Sequence, residues 1–143
     1  MTAAPALGRG QRGATAVEFA LISSVFFALL LGAGEMGRVL WVWNAAAEAT
    51  RYGARVAAVC DLNDPVVKQR VMQRLAVLTG SNVSLTYQPA GCTASTCQSV
   101  TLSLTGYAQK TYIPFVTFSP TLPPFTTLIS REYLSSAGNP ACQ

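Results

Sequence analysis

The feature that most restricts this chain is one apolar stretch, GRGQRGATAVEFALISSVFFALLLGAGEMGRVLWVW, with a glutamate, Glu18, near its start. From Phe19 to Val42 the only charged residues are Glu35 and Arg38. About 20 apolar residues cross a hydrocarbon core of roughly 30 Å, so a span beginning near Val17 can finish at or before that pair. Glu35 and Arg38 stand three apart, which makes them neighbours on one helix face where each partly neutralises the other. Trp41 and Trp43 follow, as expected of rings settling among lipid headgroups. A carboxylate at position 18 therefore needs an explanation, because a charge at the bilayer centre costs about 2.5–3.5 kcal/mol on insertion scales and less near the edge.

The rest of the chain limits the architecture. It has 143 residues, half of them hydrophobic and few charged. It is too apolar for an ordinary soluble domain, and too polar after Trp43 for several spans. One membrane segment and one small domain is the simplest division. Arg9 and Arg12 precede the span with no acidic residue to offset them, which places the amino end in the cytoplasm, although Arg51 and Arg55 on the far side weaken the contrast. Four cysteines lie beyond the span, as suits a domain exported to an oxidising compartment. The net charge of +4 becomes +2 without Arg9 and Arg12, and nothing in that balance calls for nucleic acid.

No proline interrupts the chain between Ala6 and Asp64, so the span can continue outward as one helix through NAAAEATRYGARVAAVC. A helix from about Thr15 to Cys60 would be roughly 70 Å long, more than twice what a bilayer needs. Small residues recur on it at every fourth position: Ala20, Ser24, Ala28 and Gly32, then Ala45, Ala49, Gly53 and Ala57, flanked by Ala46, Thr50, Ala54 and Ala58. Such rows let a second helix approach closely. Alanine is also simply a good helix former, and glycine is frequent in spans. The second row favours packing, because a solvated helix would carry more charge than Glu48, Arg51 and Arg55. Either the chain's own domain or neighbouring subunits should cover it.

The expected fold is α+β: the long helix continues into a small domain with a short second helix and an antiparallel sheet of about three strands. In DLNDPVVKQRVMQRLAVLTG, Asp64 is the N-cap, Pro65 the first helical residue and Gly80 the terminator, with Val67, Val71, Leu75 and Leu78 on one apolar face. Lys68, Arg70 and Arg74 turn elsewhere as a solvated face. Val83, Leu85 and Tyr87 then alternate with polar residues, as do Val100, Leu102 and Leu104, and the turn-rich PAGCTASTC between them makes a hairpin. A third strand is expected from Thr126 to Leu134, its faces ambiguous because Leu128 and Ile129 are adjacent. The segment YIPFVTFSPTLPPF, Tyr112 to Phe125, holds four prolines and cannot be regular helix or central strand; its phenylalanines are read as capping the core in preference to forming a docking patch.

Four cysteines allow three pairings, which spacing alone does not decide. Cys92 and Cys97 are close enough to staple the hairpin loop, which would leave Cys60 and Cys142 to tie the long helix to the carboxyl terminus. With no histidine and no CxxC pair, a zinc site is disfavoured, and no metal or cofactor is expected. A hydrolase would need a nucleophile with a positioned base, yet the part beyond the span offers only Glu48, Asp61, Asp64 and Glu132 as carboxylates. Asp61 and Asp64 are explained by turn and cap chemistry. No GxSxG, P-loop, HExxH or dinucleotide fingerprint appears, so no catalytic residue is assigned and the chain is not read as an enzyme.

The leader ending at Gly13, a mature start at Ala14, Glu18 as fifth mature residue with Phe19 beside it, and the span directly after resemble a prepilin. Cutting after Gly8 or Gly10 would place Gly13 or Thr15 at the fifth position, so only Gly13 sets the register. With Glu35, Gly37 and TRYGARVAA, the stretch QRGATAVEFALI is similar to the TadE-like minor pseudopilins of tight-adherence (Flp-type) pilus systems over about the first sixty residues. Ala14 departs from the phenylalanine familiar at the mature start of type IV pilins.

The resemblance implies a leader over residues 1–13, a transmembrane helix over 14–43, its exported continuation over 44–60 and a disulfide-stabilised periplasmic domain over 61–143. It further implies a single-pass protein of the bacterial inner membrane, cut between Gly13 and Ala14 by a prepilin peptidase. Its partners would be that peptidase, other pilins or pseudopilins, the inner-membrane assembly platform and the lipid bilayer. Glu18 would pair with the new amine on Ala14 of an adjacent subunit and set axial register. Its alternative is an interfacial carboxylate complementing the positive end of its own helix. The competing reading of the whole is an uncut, single-span envelope protein whose exported domain binds another envelope component. Release by ordinary signal peptidase is disfavoured, because no short apolar region ends in a small-residue cleavage motif.

Overall fold

The computed structural model describes residues 10–113, 116–132 and 135–143, with side chains from residue 13 onward. Most of the expected leader therefore lies outside the described residues, as do two residues of the proline-rich segment and the end of the expected third strand. The elements are α1 (Gly10–Val59), α2 (Pro65–Arg74), β1 (Val83–Gln88), β2 (Ser99–Leu104) and β3 (Phe125–Ser130), with 3-10 turns at Gly80–Asn82 and Pro140–Cys142. The fold is α+β. The chain divides into two compact units, one ending at Gly37 and the other running Arg38–Gln143.

In the first unit, α1 leaves Val17, Phe19, Leu21, Ile22, Phe26 and Leu29–Leu31 exposed. In the second unit, α1 is covered on one side. Val42, Ala46, Ala49, Ala54 and Ala57 share a buried cluster with Val67 and Val71 of α2, with Val100, Leu102 and Leu104 of β2, and with Leu75, Leu78 and Leu122. Thr50 is buried among them, its hydroxyl donating to the Ala47 carbonyl at 2.8 Å and so costing no unmet hydrogen bond.

The sheet has the order β1-β2-β3 and is antiparallel throughout. Its register stacks Val83, Leu104 and Phe125 in one row, then Leu85, Leu102 and Thr127, then Tyr87, Val100 and Ile129. Those rows face inward, because alternation puts every second residue of a strand on one face. The register resolves the ambiguity in β3: Ile129 is half-buried, whereas Leu128 points outward and is 65% exposed.

Three expectations change. The second helix ends at Arg74, well before Gly80, because Leu75 leaves helical backbone (φ −139°, ψ 88°). A turn in which Leu78 N–H donates to the Leu75 carbonyl at 3.0 Å lets both leucines enter the core. Gly80 instead opens a 3-10 turn, with the Asn82 side chain accepting from the Thr79 N–H at 2.9 Å. The third strand stops at Ser130, where Arg131 N–H turns to the Gln98 carbonyl. Phe118 does not cap the core: it is 64% exposed, while Phe125 packs against the core from the first position of β3.

Candidate functional site

Gly13, Ala14 and Glu18 all lie on α1 and are exposed. Ala14 and Glu18 are four apart, so they share one face a single turn from each other. Ala20, Ser24, Ala28 and Gly32 are exposed as well, and a methyl group placed at Gly32 would touch nothing within 4 Å. Ser24 donates its hydroxyl to the Leu21 carbonyl at 2.8 Å, which lets it sit in an apolar environment without an orphan donor. The helix is long and apolar enough to cross a membrane, with a mean hydropathy of 2.1 over a window none of which is buried. One such helix near the amino end fits a single-pass membrane protein.

The second small-residue row serves a different purpose. Ala49, Gly53 and Ala57 are buried and Ala45 is half-buried, covered by the chain's own α2 and sheet. Gly53 marks the closest approach: a Cβ there would fall 2.3 Å from Val71 Cγ2 and 2.7 Å from Leu102 Cδ1, distances that real carbon atoms do not adopt. Any larger residue at 53 would force Val71 and Leu102 to shift, because α2 and β2 both press onto this turn of helix. The exposed row nearer the amino end is thus free of intramolecular cover among the described residues, and the distal row is occupied.

The end of α1 is gripped by the carboxyl-terminal tail. A helix leaves its last carbonyls unpaired. Here Ala58 accepts from the Glu132 N–H at 3.1 Å, Val59 from Asn139 Nδ2 at 3.4 Å, and Cys60 from Arg131 Nη2 at 3.0 Å. Arg131 is buried, with its guanidinium 5.8 Å from the Tyr87 ring centroid and its positive charge at the negative end of the helix. The cysteines form Cys60–Cys142 and Cys92–Cys97 disulfides. Asp64 caps α2, accepting from Val66 N–H at 2.9 Å, and also accepts from the Ser136 hydroxyl at 2.6 Å, while Asp61 accepts from the Ser136 N–H at 3.3 Å. Arg131 was not singled out by sequence reasoning; its role depends on a carbonyl 71 positions away, which no local pattern signals.

Among the described residues no three His, Cys, Asp or Glu side chains gather where a metal ion could be held.

Residues 13–55 match the family model described as TadE-like protein. No curated protein matches. No solved structure matches.

Proposed function

We propose that this chain, TadE-like over residues 13–55, is a pilus-associated membrane protein of a Tad/Flp-type system that acts as a minor pseudopilin-like structural subunit. The observation that carries the reading is that the match begins at residue 13 and takes in the exposed apolar part of α1, a segment apolar enough for a membrane, before continuing into the covered part. In this reading residues 1–13 are a cytoplasmic leader, 14–43 span the inner membrane, 44–60 continue the helix outward and 61–143 complete a periplasmic head. A prepilin peptidase cuts between Gly13 and Ala14, and no chemistry of the chain's own is required.

Removing the leader frees an ammonium group on Ala14. In a low-dielectric surrounding a lone charge is expensive and a paired one far less so. Glu18 of a neighbouring subunit supplies the pair and, because Ala14 and Glu18 are one helical turn apart, the pairing staggers adjacent helices by a defined step. Ala20, Ser24, Ala28 and Gly32 are proposed as the surface along which those helices meet, since the row is exposed and small. The distal row is not proposed for that role, since α2 and β2 pack against it. Other pilins or pseudopilins and the assembly platform are the proposed partners.

The test is Glu18→Ala in cells that make the pilus. Membrane-extracted protein should appear at normal level while surface pili are lost or reduced. Normal piliation would overturn the role given to this carboxylate.

A further inference from the structure

Where α2 crosses α1, the packing gathers exposed arginines on the surface of the head. Arg74, in the last turn of α2, lies with its guanidinium carbon 4.2 Å from the centroid of the Tyr52 ring on α1. Gly53, next to Tyr52, is where α2 comes closest, and that approach brings a side chain of one helix over a ring of the other. Arg55 stands three residues beyond Tyr52, and Arg51 four before Arg55, so each is a neighbour of the next on the solvent side of the helix. Arg51, Arg55 and Arg74 are all exposed, and among the described residues none of them has a carboxylate partner. Glu48 is the sole acidic residue of α1 between Arg38 and Val59, while Asp61 and Asp64 are already engaged by Ser136. Like charges one helical turn apart disfavour the helix that carries them, so Arg51 and Arg55 are not there for the sake of the fold.

Cations held together without counter-charge suit an anionic partner, and the residue types say which kind. Clusters that read anionic lipid hold about 4–8 basic residues, lysine among them. Here the cations are arginines set about a half-buried tyrosine, and arginine and tyrosine are enriched in protein–protein interfaces, where lysine is depleted. A guanidinium takes a carboxylate through two parallel hydrogen bonds, and Arg74 is already ordered against Tyr52, so docking immobilises less. A second copy of this head would bring the same cations to the contact, which disfavours it as the occupant. We infer that Arg51, Arg55 and Arg74, arranged about Tyr52, form a docking surface for an acidic segment of a partner protein. The inference depends neither on leader cleavage nor on the membrane span.

The test uses the full chain in a neutral maltoside detergent, with a fluorescein-labelled oligoglutamate peptide as the probe and anisotropy at low ionic strength as the readout. Arg51→Gln/Arg55→Gln removes charge from side chains that make no hydrogen bond or ion pair in the fold. Lys68→Gln/Lys110→Gln removes the same charge elsewhere, Lys68 lying six positions from Arg74 and so on a different face of α2. The first pair should weaken binding roughly tenfold and the second by less than about twofold. Equal weakening by the two pairs overturns the inference, because the probe would then read net charge alone, and so does failure of the parent chain to bind. Near-ultraviolet circular dichroism checks the fold of each variant; if the first pair is disturbed, Arg74→Gln alone carries the test, with an expected loss of roughly threefold. Glycerophosphoglycerol, the soluble headgroup of phosphatidylglycerol, added at the concentration of the peptide, should leave the complex intact. Displacement by it overturns the protein-partner reading in favour of an anionic lipid.

Discussion

Gly53→Ala is the substitution on which the packing account is most exposed. On propensity alone alanine improves a helix by about 0.5–1 kcal/mol over glycine. The structure opposes that gain, because the new Cβ would meet Val71 Cγ2 at 2.3 Å and Leu102 Cδ1 at 2.7 Å. Both neighbours are fully buried, and the β-branched Val71 has little rotamer freedom with which to retreat. Overpacking of this kind costs about 1–3 kcal/mol, so the net loss should be about 0–2.5 kcal/mol and centre on about 1 kcal/mol, a fall in Tm of several degrees in a domain of this size. Thermal unfolding of the full chain in mild detergent, followed by near-ultraviolet circular dichroism, measures it. Adding Val71→Ala removes the nearer clash, so the double variant should be more stable than the sum of the single losses by about 1 kcal/mol. An alanine variant that is more stable than the parent would refute the close approach of α2 to α1.

The two disulfides should contribute unequally. On the loop-entropy account the Cys60–Cys142 bridge, with a sequence separation of 82, contributes about 4.5 kcal/mol and Cys92–Cys97, with a separation of 5, about 2. The Cys60→Ala/Cys142→Ala pair should therefore lower the denaturation midpoint further than Cys92→Ala/Cys97→Ala in the same detergent. Arg131→Ala should cost about 1–2 kcal/mol, because the loss of the charged donor to the Cys60 carbonyl and of the buried stem is partly offset by relief of Nε and Nη1, which are buried without a partner. Amide exchange should then accelerate first at the last turn of α1, while β1 and β2 keep most of their protection.

Much of the head was legible because its elements announce themselves locally. Val83, Leu85 and Tyr87 alternate, Val100, Leu102 and Leu104 alternate, and pairing the two series residue for residue produces the inward rows of the sheet. Asp64 and Pro65 mark the start of α2 by cap chemistry that acts within two residues. Its end was not legible. Leu75 and Leu78 fit a helical face and equally fit a turn that buries both, so periodicity cannot separate the two, and Gly80 looks like a terminator although it opens a turn. The choice between Leu128 and Ile129 needed the partner strand, because adjacent apolar residues carry no period. Phe118 was misplaced for a related reason. Its surroundings are set by bonds such as that from Gln109 N–H to the Pro120 carbonyl, and a proline-rich segment has no repeat from which its faces can be read. The long helix was the clearest element, yet its two small-residue rows look alike in sequence. Only the positions of Val71 and Leu102 distinguish the row the head occupies from the row left open.

The central claim, maturation to a subunit that begins at Ala14, is tested most directly by amino-terminal sequencing and intact-mass measurement of the chain extracted from the membrane of its own cells. The account predicts a polypeptide starting at Ala14, its free amine one helical turn from Glu18. Recovery of protein that still carries Met1 through Gly13 would contradict it and favour an uncut membrane anchor.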